Sequence, residues 1–212
     1  MKLLIIICSH ELDIQWCDNI KILNDYITNT KMEVDYCGIS NQDDFHNYES
    51  IIQFRYKIIN TKLQFSKICD FISDYKSELC YDWYIKIRPE IKLLENINFS
   101  MMSENSINSR ARIYNGPKKI KYGMSVNGEG IWKHTGNCYY ADNEHSVTLD
   151  DQIFIFHKNI LEMGAFDRIQ PGDSLENETF QTDIWNTRNI PLNVIGIYVE
   201  FKKYNVFSGD IH

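Results

Sequence analysis

The 212-residue chain has no glycine in the turn after its first hydrophobic run, where Leu3-Leu4-Ile5-Ile6-Ile7-Cys8 gives way directly to Ser9-His10-Glu11. That absence removes the G-x-G-x-x-G and Walker loops, whose glycines let backbone amides close around phosphates. Dinucleotide oxidoreductases, P-loop enzymes and glycine-loop methyltransferases lose ground with them. A basic excess is missing too: the net charge of -7 and pI near 5.4 argue against a protein that tracks a nucleic-acid backbone, and none is expected as a partner. The six cysteines (Cys8, Cys17, Cys37, Cys69, Cys80, Cys138) form no C-x-x-C pair, which predicts no zinc site and a reducing compartment. No apolar run approaches the length of a membrane span, and the first is too short for a secretory leader. A soluble, cytoplasmic protein is expected. No repeat or low-complexity linker marks a second domain.

What is present is enough apolar material for a sizeable core, 43% of residues, in one domain with room for a lobe inserted late. The aliphatic run at the amino terminus reads as a strand buried on both faces. Trp16, Ile20, Leu23 and Ile27 then recur at helical spacing, and residues 32–38 read as a second strand, together a βαβ unit. The stretch from Ile51 to Leu79 reads as helix, broken near Asn60-Thr61, with Ile68, Ile72, Tyr75 and Leu79 inward and Arg55, Lys62 and Lys67 along it. Arg110 to Tyr114 reads as a short strand. Residues 118–145 mix glycines with Tyr122, Trp132, Tyr139 and Tyr140, a composition for hairpins or loops whose aromatic faces suit a sugar ring or merely seal a lobe. A short helix is expected over 159–166, another over 175–188, and a last strand from Pro191 to Val199.

Two constellations carry chemistry. In Asp82-Trp83-Tyr84-Ile85-Lys86-Ile87-Arg88-Pro89-Glu90, alternation predicts a strand interior to the sheet, and Pro89 ends it. Arg88 and Glu90 then stand at the strand's carboxyl end, where open α/β sheets bind ligands. A guanidinium fork matches phosphate oxygens and a carboxylate suits a hard divalent cation; the same residues also make an ordinary surface pair. Thr148-Leu149-Asp150-Asp151-Gln152 precedes the apolar Ile153-Phe154-Ile155-Phe156, which places two carboxylates at the beginning of a strand, pointing oppositely. One such carboxylate can take a proton from a hydroxyl or steady positive charge on a reacting carbon; a capping pair is the plainer alternative. Ser9 and His10, at the end of the first strand, are placed to touch a base or ribose, or to serve as a helix cap and a surface histidine.

The order of these elements resembles the small nucleotide-sugar glycosyltransferases of GT-A fold: an aliphatic first strand without a glycine loop, a long helix feeding Trp83 to Glu90 with its Arg88-Pro89-Glu90 element, Asp150-Asp151-Gln152 before an apolar strand, and Glu176 or Glu178 opening a helix toward Asn189-Ile190-Pro191-Leu192. Viral and bacterial polysaccharide-type enzymes belong to this family. The likeness is strongest to the amino-terminal domain of a multidomain chlorella-virus protein and covers nearly the whole chain. It implies an α/β fold with a Rossmann-like nucleotide-binding half over 1–94, a mixed central sheet with flanking helices, and a smaller acceptor-side lobe over 95–212, the whole being part of a longer protein located in host cytoplasm if viral. It further implies transfer of a hexose or deoxyhexose from a UDP-sugar donor to a glycan or glycoprotein acceptor, with Mn²⁺ or Mg²⁺. By the same resemblance Asp151, then Asp150, is the reacting-centre carboxylate. Ser9 and His10 at a strand end, Arg55 and Lys62 along the helix, and Arg88 are expected from their positions to hold the nucleotide-sugar; the resemblance adds Gln152 beside the anomeric carbon and Glu90 with His212 or Asp210 on the metal. Arg88 stands where the family's Asp-x-Asp element has its first acid. Two alternatives stay open: a metal-dependent phosphoesterase or nuclease using Glu90, Asp150 and Asp151, and a noncatalytic nucleotide-sugar-binding module.

Overall fold

A computed structural model describes residues 1–115, 124–126, 132–134, 145–169, 180–195, 197 and 199–201. The first half alternates strand and helix: β1 (Lys2–Cys8), α1 (Cys17–Thr28), β2 (Glu33–Ser40), β3 (Phe54–Ile59), α2 (Gln64–Tyr75), β4 (Trp83–Ile87) and the short β5 (Ile91–Leu93). The second half contains β6 (Ile107–Asn115), β7 (Met124–Val126), β8 (Trp132–His134), β9 (His145–His157), α3 (Lys158–Glu162), α4 (Phe180–Thr187), β10 (Leu192–Val194) and β11 (Val199–Phe201).

Seven strands form one sheet in the order β10-β6-β9-β4-β1-β2-β3, so the α/β class with a mixed central sheet holds. β1 is parallel to β2 and β4, and β2 to β3. β9 runs antiparallel to both β4 and β6, and β10 is parallel to β6, which leaves β9 as the one reversed strand. The chain leaves β1 toward β2 and β3, then returns to add β4 on β1's other side. This change of direction is the topological switch at which the carboxyl ends of neighbouring strands open a crevice.

Burial follows the aliphatic runs. Leu3, Ile5, Ile7, Trp83, Ile85 and Ile87 face α1, meeting Ile20, Leu23 and Ile27, while Leu4, Ile6, Cys8, Tyr84, Phe154 and Phe156 face α2, meeting Phe65, Ile68 and Phe71. The second face also takes Trp185 of α4 and Phe166, in edge-on and stacked ring contacts with Phe154.

Three expectations need correction. The helix expected from Ile51 begins only at Gln64, because Phe54, Tyr56 and Ile58 alternate with Arg55 and Lys57 and form the edge strand β3. The apolar spacing there has a period of two, which the adjoining helix pattern hides. The last strand is two pieces, β10 on the main sheet and β11 antiparallel to β5. Asp150 and Asp151 do not begin a strand: β9 spans His145–His157 and both acids lie within it. The helix over 175–188 is described from Phe180 to Thr187; Glu176 and Glu178 fall outside the described residues, as does most of the segment 118–145.

Candidate active site

The crevice at the switch point is built from the carboxyl ends of β1, β2 and β4, the start of α2 and an irregularity in β9. That irregularity has a simple arithmetic. Ser109 pairs with Phe154 and Ala111 with Leu149, so the single residue Arg110 faces the four positions 150 to 153. A bulge bends its strand and re-aims side chains. It occurs where β9 passes the end of β4, since Ile87 pairs with Ile153 and the Arg88 N–H donates to the Gln152 carbonyl at 2.9 Å.

Arg88 lies at the centre. Its Nε donates to Gln64 Oε1 at 2.8 Å, and Nη2 stands 3.3 Å from Asp151 Oδ2. The side chain keeps 23% of its surface exposed. One edge of the guanidinium is therefore fixed by protein, and the fork's outer N–H groups have the planar geometry that suits a doubly oxygenated anion. Lys86, one turn of the pleat earlier on the same face, is buried; its ammonium donates to the Asp151 carbonyl and, at 3.4 Å, to Gln64 Oε1. Arg110 is also buried, with Nη2 donating to Gln152 Oε1 at 3.1 Å.

A second cation braces the β1 side. Lys67, on the inward face of α2 and fully buried, donates to the Ser9 carbonyl at 2.8 Å and to Asn41 Oδ1 at 2.5 Å. The Asn41 N–H in turn donates to the His10 carbonyl at 3.1 Å, and its Nδ2 approaches His10 Nδ1 at 3.4 Å. In that arrangement Nδ1 accepts and Nε2 carries the ring proton outward. Desolvation lowers the His10 pKa, and the charges of Lys67 and Arg88 lower it further. Burial likewise lowers the Lys67 pKa and raises that of the Cys8 thiol.

Among the described residues, Lys67, Lys86, Arg88 and Arg110 are each hydrogen-bonded at this end of the sheet, with Asp151 against Arg88 and the buried Glu90 just past β4, in a chain whose net charge is -7. Such a concentration of buried positive charge is costly unless it is hydrogen-bonded, and it raises the local potential for an anion.

The candidates from sequence divide accordingly. Ser9, His10, Arg88, Asp151 and Gln152 gather at the crevice, with Glu90, a buried residue, just past the end of β4. Asp150 lies on β9, with its side chain outside the described residues, as are Asp210 and His212. Arg55 sits near the start of β3, away from the strand's carboxyl end, with Nη1 3.1 Å from Asp35 Oδ2. Lys62 pairs with Asp70 at 2.7 Å. Of the three basic residues expected along one helix, the structure brings Lys67 into the brace beneath the crevice and occupies the other two with surface acids. Gln64 and Lys86 were missed. The available signal for Lys86 was a cation inside an apolar strand that lies mid-sheet, where both faces are covered.

Of the expected metal ligands, Glu90 is buried just past the end of β4, and His212 and Asp210 fall outside the described residues. Among the described residues no three His, Cys, Asp or Glu side chains gather around one point, and Asp151 faces Arg88. Glu90 is the one expected hard ligand among the described residues.

No family model matches the sequence, and no curated protein matches it. Among solved structures, the chain is similar to 4-diphosphocytidyl-2C-methyl-D-erythritol synthase from Anaerococcus prevotii, at a TM-score of 0.53 and 9% identity, over 93% of this chain and 86% of that one. It is also similar, at a TM-score of 0.49 and 9% identity, over 92% and 81% respectively, to a glycosyltransferase involved in the glycosylation of the major capsid of PBCV-1. The first likeness shows that the seven-stranded sheet and its flanking helices share the fold of that synthase.

Proposed function

We propose that the chain is a glycosyltransferase that moves a hexose or deoxyhexose from a UDP-linked donor to a hydroxyl of a glycan or glycoprotein acceptor. The observation that carries this reading is the Arg88–Asp151 pair at the switch point, backed by buried cations. Breaking a sugar–phosphate bond builds negative charge on the departing diphosphate and positive charge on the anomeric carbon. A site for that reaction requires a cation and a carboxylate a few ångströms apart, on opposite sides of the scissile bond. Arg88 offers its outer N–H edge to the diphosphate, drawing the guanidinium from Asp151. The carboxylate so released is available to support the sugar carbon or accept the acceptor's proton. Lys67 holds Ser9 and His10 at the end of β1, where the nucleoside would lie, and Gln152, fixed by Arg110, lines the sugar side.

A divalent ion is not assigned a step. The experiment is a thermal-shift panel of UDP, UDP-hexoses, CTP and single-stranded DNA with and without Mn²⁺, followed by donor hydrolysis. A ligand that binds only the folded state raises the melting temperature by mass action. Stabilisation by UDP and turnover of a UDP-hexose are expected; stabilisation by CTP alone, or phosphodiester cleavage, would replace this reading with nucleotidyl transfer or a phosphoesterase. Glu90→Ala is expected to remove whatever part of turnover Mn²⁺ adds while leaving the fold intact, and equal Mn²⁺ stimulation in the variant would take Glu90 out of the site.

A further inference from the structure

We propose that Lys86 is a positioning residue: it sets the reacting carboxylate of Asp151 by gripping the main chain of the β9 bulge from beneath. The inference rests on the glycosyl-transfer reading for what the carboxylate does, and on geometry alone for how it is held.

A bulge interrupts its ladder and leaves carbonyls that must find donors elsewhere. At this one, where Arg110 faces four residues of β9, the Asp151 carbonyl accepts from the Lys86 ammonium. Lys86 is 1% exposed, in the middle of the sheet, its ammonium 5.6 Å from the centre of the Phe154 ring. Satisfying one carbonyl calls only for a neutral donor, and an ammonium in that place carries a desolvation cost that a purely structural role would avoid. The ammonium also reaches an oxygen shared with Arg88. Gln64 Oε1 accepts from Lys86 at 3.4 Å and from Arg88 Nε at 2.8 Å, so one amide oxygen ties the group under Asp151 to the guanidinium beside it. Main chain and side chain of Asp151 are thereby located by two cations whose separation Gln64 sets. Lys86 lies on β4 and Arg88 one residue past its end, two residues apart on the same face, so the extended backbone fixes the spacing.

The test compares Lys86→Met, which keeps length and removes the donor, with the unaltered chain. Hydrogen exchange of the amides over 150–153 should quicken by about tenfold or more while β1 and β2 stay protected. The kcat for hydrolysis of the UDP-hexose used best should fall by about tenfold or more with the Kd for UDP within about twofold, a split that marks an effect on the reacting group rather than on donor binding. In an Asp151→Asn background, Lys86→Met should cost nothing further in kcat, as expected of residues acting as one unit. Unchanged exchange over 150–153, or exchange that quickens equally along β1 and β4, would overturn the proposal. So would a kcat loss that adds fully to that of Asp151→Asn. If Lys86→Met does not fold, Gln64→Leu at the partly open start of α2 is expected to quicken exchange over 150–153 at smaller amplitude, and unchanged exchange there sinks the idea. An unaltered protein that turns over no UDP-hexose would end the glycosyl-transfer reading, while the exchange measurement still decides whether Lys86 holds the bulge.

Discussion

The two faces of the β1–β4 pair are made from adjacent residues of the same strands and do different things. Toward α1 they present Leu3, Ile5, Ile7, Trp83, Ile85 and Ile87, packed on Ile20, Leu23 and Ile27, with no charged strand residue among them. Toward α2 they present Leu4, Ile6, Cys8 and Tyr84, and then Lys86, with Arg88 following at the strand's end. The first face supplies hydrophobic burial alone, so it bears on stability and leaves ligand binding untouched. The second gives part of its burial to two cations, Lys86 held by carbonyl and amide oxygens and Arg88 by an amide oxygen and the Asp151 carboxylate.

The sharpest way to break this contrast is on the apolar face. Ile85→Ala deletes a fully buried side chain and is expected to cost about 2 to 5 kcal/mol of stability. Urea titration would measure it, and the fraction still folded should bind UDP normally. A weakened UDP affinity in that fraction would show that the two faces are not separable.

On the other face the order of effects reverses. Arg88→Met should weaken UDP binding by about thirtyfold, corresponding to about 2 kcal/mol of lost charge-assisted hydrogen bonding, with little change in unfolding midpoint. Calorimetric titration distinguishes this from an unchanged affinity, which would remove Arg88 from the diphosphate site.

The smallest effect concerns pH. The His10 pKa is lowered in the folded state by desolvation first, then by Lys67 and Arg88. The unfolded chain, titrating near the ordinary value of 6.5, therefore takes up the proton first as pH falls. Stability is complete above that value and declines below it, until the folded-state value is passed. Melting temperature followed between about pH 5 and about pH 8 should show a shallow loss on the acid side that His10→Gln reduces. Bound UDP, an anion beside the ring, should shift the ring's titration upward; a titration indifferent to UDP would place the nucleotide elsewhere.

Much of this arrangement was legible in residue order. The aliphatic run of β1, the helix carrying Ile20, Leu23 and Ile27, and the strand ending at Pro89 announce themselves by period and by proline, and Arg88 and Asp151 stand out as charged residues flanking apolar strand runs. β3 was lost because Phe54-Arg55-Tyr56-Lys57-Ile58 adjoins a true helix, and two periods run together look like one irregular helix. Lys86 was passed over because alternation with Ile85 and Ile87 makes a polar residue look outward-facing, whereas a strand between β1 and β9 has no outward face. The bulge was invisible for a different reason. Its existence depends on how β9 registers against β6, and register is a property of two distant segments rather than of either one.

The reversed strand has a consequence for how such a crevice changes over time. Because β9 pairs with β6 on both sides of the four-to-one mismatch, residues can be gained or lost within the mismatch without forcing the flanking ladder to slip. The length of that small detour is thus an adjustable gauge: altering it moves a carboxylate nearer to or farther from the end of β4 while the seven-stranded scaffold stays put. A strand that merely ended there would offer no such latitude, since a changed length would shift only its frayed tip.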